Sequence, residues 1–342
     1  LFIAPFKIKT FRQYVPRTVI AAVYEFQTRT QLYSLNNFNG SFGYIWKENI
    51  RTEHELKLFD LTVVSPALIT AKYESMMADN VYLQRVVAQQ LIFGPVYSYT
   101  YTNTMFPKRN TIFYQGTLDL AGTLSGLITG ANIKKGRQRE ILGIPFSQYA
   151  KTENDFRYYH KFSRKTMLAT RIIGGLAFPY GNSDNIPFIK QFFAGGSNSI
   201  RAFRARTLGP GSYDIGSQGS TFFFDQSGDI KIELNAEFRA KLYKFLNLGI
   251  FIDAGNIWLV NEDPERPGAQ FSKDFISEFA VGGGLGLRFD FSIIVLRLDL
   301  AMPFRVPYLA ENERWVFNKI DFGDRNWRRD NLVLNIAIGY PF

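Results

Sequence analysis

Glu237 and Asp253 occupy the polar faces of two consecutive alternating segments, and Arg201 lies in the long connection that precedes them. One guanidinium can bind two carboxylates through charge-assisted hydrogen bonds, which would pin that connection to the wall carrying Glu237 and Asp253. The competing reading is that these are ordinary solvated charges acting independently, and residue type alone favours it. Little else offers chemistry. With 0 cysteines and 2 histidines, a disulfide framework, a thiolate metal site and a cysteine nucleophile are excluded, and an imidazole site is poorly supplied. His54 and His160 are expected at strand ends without chemistry. Asp119, Asp299 and the serines form no nucleophile–base arrangement, so no catalytic residue, metal or cofactor is expected.

The elements that must position these groups are legible as strands. Along residues 230–242, Ile230, Ile232, Leu234, Ala236, Phe238, Ala240 and Leu242 alternate with Lys231, Glu233, Asn235, Glu237, Arg239 and Lys241. A strand separates those two sets, whereas a helix mixes them. The same period returns over 246–255, 279–289, 294–302 and 332–342. These segments reach ten residues or so, which is longer than the usual strand of about five or six and close to the roughly 9 to 11 tilted residues that cross a bilayer. Their polar faces carry charges and glycines, as the inside of a membrane barrel does. A water-soluble sandwich alternates too, but length and polarity favour an all-β fold, a transmembrane antiparallel β-barrel. No apolar run approaches the roughly 18 residues of a membrane helix. Mean hydropathy is only -0.11 although 46% of residues are hydrophobic, as interleaving of polar and apolar positions requires.

Net charge of +10 with 16% aromatics would also suit a single-stranded nucleic-acid binder. The alternation instead makes the aromatics wall and girdle, including Tyr97, Tyr99 and Tyr101, and no nucleic acid is expected. The basic run Lys134, Lys135, Arg137 and Arg139 reads as a solvated loop. Gly282, Gly283, Gly284 and Gly286 read most plainly as strand curvature, with room for a loop as the alternative.

Connections are tight near Arg164, Lys244 and Phe291 and long over 180–228, 261–274 and 305–329, the asymmetry of periplasmic turns and extracellular loops. Earlier strands are expected over 18–32, 40–47, 54–64, 90–102, 111–120, 146–162 and 166–178, with a helical stretch over 66–89. Residues 1–6 read as the tail of one more strand, making thirteen. Single-chain barrels have even strand numbers, so an odd number of strands is expected to precede Leu1.

The long connection contains QFFAGGSNSIRAFRARTLGPGSY. This resembles the sixth extracellular loop of the BamA/TamA superfamily of outer-membrane assembly proteins, with Gly195, Gly196, Ser199, Ile200, Arg201, Ala202 and Phe203 on its motif. Ala202 stands where the family usually has Gly. The extension through Arg206, Leu208, Gly209, Pro210, Gly211 and Tyr213 is similar to the version in Bacteroidota members. NAEFRAKLYKFLNLGIFIDAGNIW resembles the following strand pair, with Glu237 and Asp253 at the acidic positions that hold the motif arginine. NLVLNIAIGYPF resembles the C-terminal β-signal, carried by Leu332, Leu334, Ile336, Ile338, Gly339, Tyr340 and Phe342. With the motif in view, the lock of Arg201 on Glu237 and Asp253 becomes the preferred reading.

The resemblance implies a barrel of sixteen strands, of which residues 1–342 supply about thirteen, with the first strands and the N-terminal periplasmic domains lying elsewhere. It implies that residues 179–228 fold into the lumen, and that the protein resides in the bacterial outer membrane. The implied function is non-enzymatic insertion of other outer-membrane proteins, through a lateral seam between the first and last strands. Partners would be unfolded β-barrel substrates, accessory assembly-complex subunits, and outer-membrane lipid with lipopolysaccharide. A TamA-like or two-partner secretion barrel is the alternative within the superfamily, and a passive channel or porin the more distant one.

Overall fold

The computed structural model describes residues 14–78, 80–214, 225–291 and 293–342. In chain order the strands are β1 (Arg17–Arg29), β2 (Tyr33–Asn49), β3 (Thr52–Ile69), β4 (Gln90–Thr102), β5 (Asn110–Ala121), β6 (Glu140–Ile141), β7 (Ile144–Pro145), β8 (Tyr149–Lys161), β9 (Thr166–Pro179), β10 (Ile230–Lys241), β11 (Leu246–Trp258), β12 (Ala280–Asp290), β13 (Val295–Arg305) and β14 (Val333–Ile338). Helices are α1 (Ala71–Met77), α2 (Val81–Val87), α3 (Thr123–Thr129) and α4 (Arg325–Asn331). Twelve strands form one sheet in the order β1-β2-β3-β4-β5-β8-β9-β10-β11-β12-β13-β14, and β6-β7 is a separate small hairpin. Every neighbour in the large sheet is also the next long strand in sequence, so the topology is an antiparallel meander. No helix among the described residues is long and apolar enough to cross a membrane.

Twelve of the thirteen expected strands are present, and the thirteenth, over residues 1–6, lies outside the described residues. The differences are local. β2 starts at Tyr33 rather than near Gly40, because the ladder Tyr33↔Ile69 to Asn39↔Thr62 holds an asparagine-rich segment that its propensity disfavours. β3 runs on through Pro66 to Ile69, leaving the expected helical stretch as two short helices. Thr70 and Asn80 cap these by accepting from the amides of Tyr73 and Leu83.

The described residues divide into two compact units. One carries β1 to β4, the β6-β7 hairpin and residues 177–191; the other carries β10 to β14, residues 103–114 and 154–176, and the rest of the long connection. The second unit shows burial inverted relative to a water-soluble protein. On β10, Glu233 and Glu237 are 0% exposed while Leu234 and Phe238 are 40% and 37% exposed. Charges turned inward and apolar side chains turned outward along one strand are what a lipid surround demands, because apolar surface costs nothing against lipid tails. The tight β8–β9, β10–β11 and β12–β13 connections lie at one end of these strands, and the long connections at the other.

Candidate functional site

The inner face of β10 to β13 forms rows fixed by register. Asn235, Asp253 and Gly282 stand side by side, as do Glu237, Phe251, Gly284 and Ala301. A third row is Arg239, Gly249, Gly286, Asp299 and Asn335, extending onto β14. Period-two alternation puts every one of these on the same side.

Arg201 enters this wall from the long connection. Its Nε and Nη2 donate to Asp253 at 2.8 and 2.9 Å, and its Nη1 donates to Glu237 at 2.6 Å. Its backbone N–H also donates to Asp253 at 3.1 Å, and its guanidinium lies 3.5 Å from the centre of the Phe251 ring. Fork-to-carboxylate geometry of this kind is available to arginine and not to lysine. The residues around it shape the approach. Gly195 and Gly196 have φ of 90° and 95°, and a Cβ on Gly195 would sit 2.3 Å from the Arg204 carbonyl, so glycine is required there for the loop to close on itself. Ser199 Oγ donates to Glu233 at 2.7 Å, and Ile200 is fully buried. Ala202 is not among the residues with positive φ, so its methyl fits the motif conformation. A Cβ on Gly282 would lie 2.2 Å from the Ala202 Cβ; this glycine lets the loop touch the wall, beyond any role in curvature.

A second set of charges, not singled out in the sequence as partners, surrounds the first. Arg288 donates to Glu237 at 3.0 Å and to Asp299 at 2.5 Å, and Arg239 donates to Glu237 at 2.8 Å. Arg297 donates to Asn198 at 2.6 Å and lies 3.5 Å from Asp299, and Asp299 is 3.6 Å from Arg201. Gly286 is where Arg288 crosses the sheet, since a Cβ there would come within 2.2 Å of its Nη1. The only signal in the sequence was that Arg288, Arg297 and Asp299 share the polar face of their strands. In the other unit, Lys190 of the same connection contacts Asp119 at 3.1 Å and Asp60 at 3.6 Å. Lys190 carried no sequence signal, because its partners sit on strands remote in the chain.

The terminal segment differs from a continuous strand. Leu332 caps α4 rather than joining the sheet, and β14 ends at Ile338, where Gly339 takes φ of 88° and the chain bends. Leu334, Ile336 and Ile338 point outward and exposed; Phe342 is buried and its backbone oxygen accepts from Arg239 at 3.0 Å. Tyr340 lies 4.6 Å from the same guanidinium. Asn335 points inward and donates to the Arg201 carbonyl at 3.0 Å, which ties the loop arginine to the last strand.

A meander of bilayer-length strands, apolar outside and charged inside, defines a β-barrel protein of the Gram-negative outer membrane. The chain belongs to the Omp85 superfamily, whose domain model matches residues 36–319. It is 28% identical over 134 residues to the outer membrane protein assembly factor BamA of Neisseria meningitidis serogroup B, covering 39% of this chain and 16% of that protein. Its fold matches the crystal structure of BamA from Haemophilus ducreyi lacking POTRA domains 1-3 with a TM-score of 0.57 at 14% identity, covering 85% of this chain and 55% of the other. The chain thus spans about half, or less, of the relatives it matches.

Proposed function

We propose that this chain is the barrel of an outer-membrane assembly factor that inserts other β-barrel proteins through a lateral seam between the first and last barrel strands, with β14 as the last. The observation that carries the reading is the short ladder of β14. β14 pairs with β13 over Leu296↔Ile338 to Ala301↔Val333, six pairs, against ten between β12 and β13. Backbone groups unpaired in lipid cost several kcal/mol each, so an incoming strand that pairs with the edge exposed when such a seam opens is strongly favoured. The bond from Asn335 to Arg201 supports a role for residues 179–228 as an internal brace that holds β14 in place. The Neisseria relative carries the name of an assembly factor, which supports the same reading. Substrates would be unfolded outer-membrane β-barrel proteins, with accessory subunits and membrane lipid as further partners, and the chemistry would be strand exchange rather than catalysis.

The test is reconstitution of the full-length protein in liposomes. Folding of a β-barrel substrate should be faster than in empty liposomes. Unchanged folding together with conductance of small solutes would replace this reading with a passive channel.

A further inference from the structure

At the tight-turn end of the second unit a cavity of about 870 Å³ opens among the turns. Lys161, Arg164 and Lys165 line it from the β8–β9 turn, and Lys241 and Lys244 from the β10–β11 turn. The β4–β5 connection adds Lys108 and Arg109. None of these seven takes part in an ion pair among the described residues, and Asp290 is the single acidic residue in the lining. The contrast with the centre of the same wall is sharp, since Arg201 and Arg288 are each held by carboxylates, as is Arg239, the eighth cation of the lining. Converging unpaired cations repel one another and leave a strongly positive field in a cleft.

The position and the residue types narrow what could fill it. Lys161 and Lys241 continue the inward-facing series of Asp155 and Arg239, whereas Phe162 and Leu242 at the same end continue the outer series and are exposed, where lipid headgroups lie. A lipid headgroup would meet the aromatic side, and a ligand arriving through the inside would meet the lysines. Five of the seven cations are lysines, point charges on flexible stems that follow an irregular anion rather than clasp a planar one. Tyr340 and Phe342 give the cavity an apolar side.

We propose that this cavity is a receiving site for an extended acidic polypeptide segment approaching from the periplasmic side. The site requires the membrane orientation set by the turns; it does not require that the barrel insert other proteins. Binding of fluorescein-labelled hexaglutamate and hexaserine to the full-length protein in detergent, followed by anisotropy, tests it. Hexaglutamate should bind and hexaserine should not. The affinity should fall about tenfold or more when salt shortens the screening length from about 14 Å to about 3 Å. The variant K161Q/K165Q/K241Q/K244Q should lose about tenfold in affinity, equivalent to about 1.4 kcal/mol. K134Q/K135Q/R137Q, in the β5–β8 connection, should keep it, and a heat-dependent gel shift reports that both variants fold. Equal affinity in the quadruple glutamine variant, or equal loss in the triple one, would overturn the site. Displacement of hexaglutamate by inorganic phosphate of matched charge would reduce it to a small-anion pocket and overturn the polypeptide assignment.

Discussion

At the scale of single residues, the arrangement of Arg201 makes a specific energetic demand. Its guanidinium and both carboxylate partners are buried, so removing one partner leaves an uncompensated charge. Arg201→Ala should lower the unfolding free energy of the barrel in lipid by about 3 to 5 kcal/mol. The double variant with Asp253→Asn should cost less than the sum of the two, as the shared contact requires. Urea titration of folded protein measures both, and additive losses would remove the pairing as an energetic unit. Gly282 gives a second residue-level expectation. Gly282→Ala would place a methyl against the methyl of Ala202, so the long connection should become accessible to protease, and adding Ala202→Gly should restore protection. No rescue by that second change would mean that the collision is relieved elsewhere. Glu237, Asp253 and the motif arginine were legible because alternation and a loop motif mark them. Arg239, Arg288, Arg297 and Asp299 were visible only as a polar face, because nothing in a strand pattern says which facing charges meet.

At the scale of elements, the strands were legible wherever apolar residues alternated with charges, and poorly legible where asparagine, glycine or proline broke the pattern. β2 extends through such a segment because its neighbours supply the ladder, and β14 stops short because Gly339 bends. Nothing in the sequence marks the β11–β12 connection beyond its length, yet it packs an aromatic cluster of Trp258, Phe271, Phe275 and Phe279. There the Trp258 Nε1–H donates to Glu278 at 2.5 Å, and burial holds the Glu278 carboxyl above its ordinary pKa despite that bond and the nearby Arg314. A carboxyl raised in this way binds more protons folded than unfolded, so its contribution to stability falls as pH rises from the ordinary glutamate range through the raised value. Glu278→Gln, which keeps an acceptor for Trp258, should therefore gain on the native protein as pH rises from about 4.5 to neutrality. A difference in urea midpoint that stays constant across that interval would sink the expectation. Lys190 makes the matching element-level case in the other unit. Lys190→Met should strand Asp119 and Asp60 and raise amide exchange in residues 188–190, while Arg201→Ala should leave those amides less affected.

At the scale of the whole molecule, the sequence alone left a water-soluble sandwich and a membrane barrel both compatible with alternation, and burial separates them. The outer faces of β10 to β14 align Phe238, Ile250, Leu285, Leu300 and Leu334 in one continuous row, and all five are exposed. A row of this kind facing water would be an aggregation hazard, whereas facing lipid it is the required surface. Leu285, at the centre of β12 and 57% exposed, decides between the two surroundings. In water an exposed leucine replaced by arginine changes stability by no more than about 0.5 kcal/mol. At the midplane of a bilayer the same replacement costs about 2 to 4 kcal/mol. Leu285→Arg should therefore lower the folding free energy in phosphatidylcholine vesicles by the larger amount, and Leu242→Arg, near the tight-turn boundary, by about 0 to 1 kcal/mol. Folding monitored by tryptophan fluorescence against urea measures both. Equal and small effects at the two positions would place the row in water and remove the membrane surround on which the proposed seam depends.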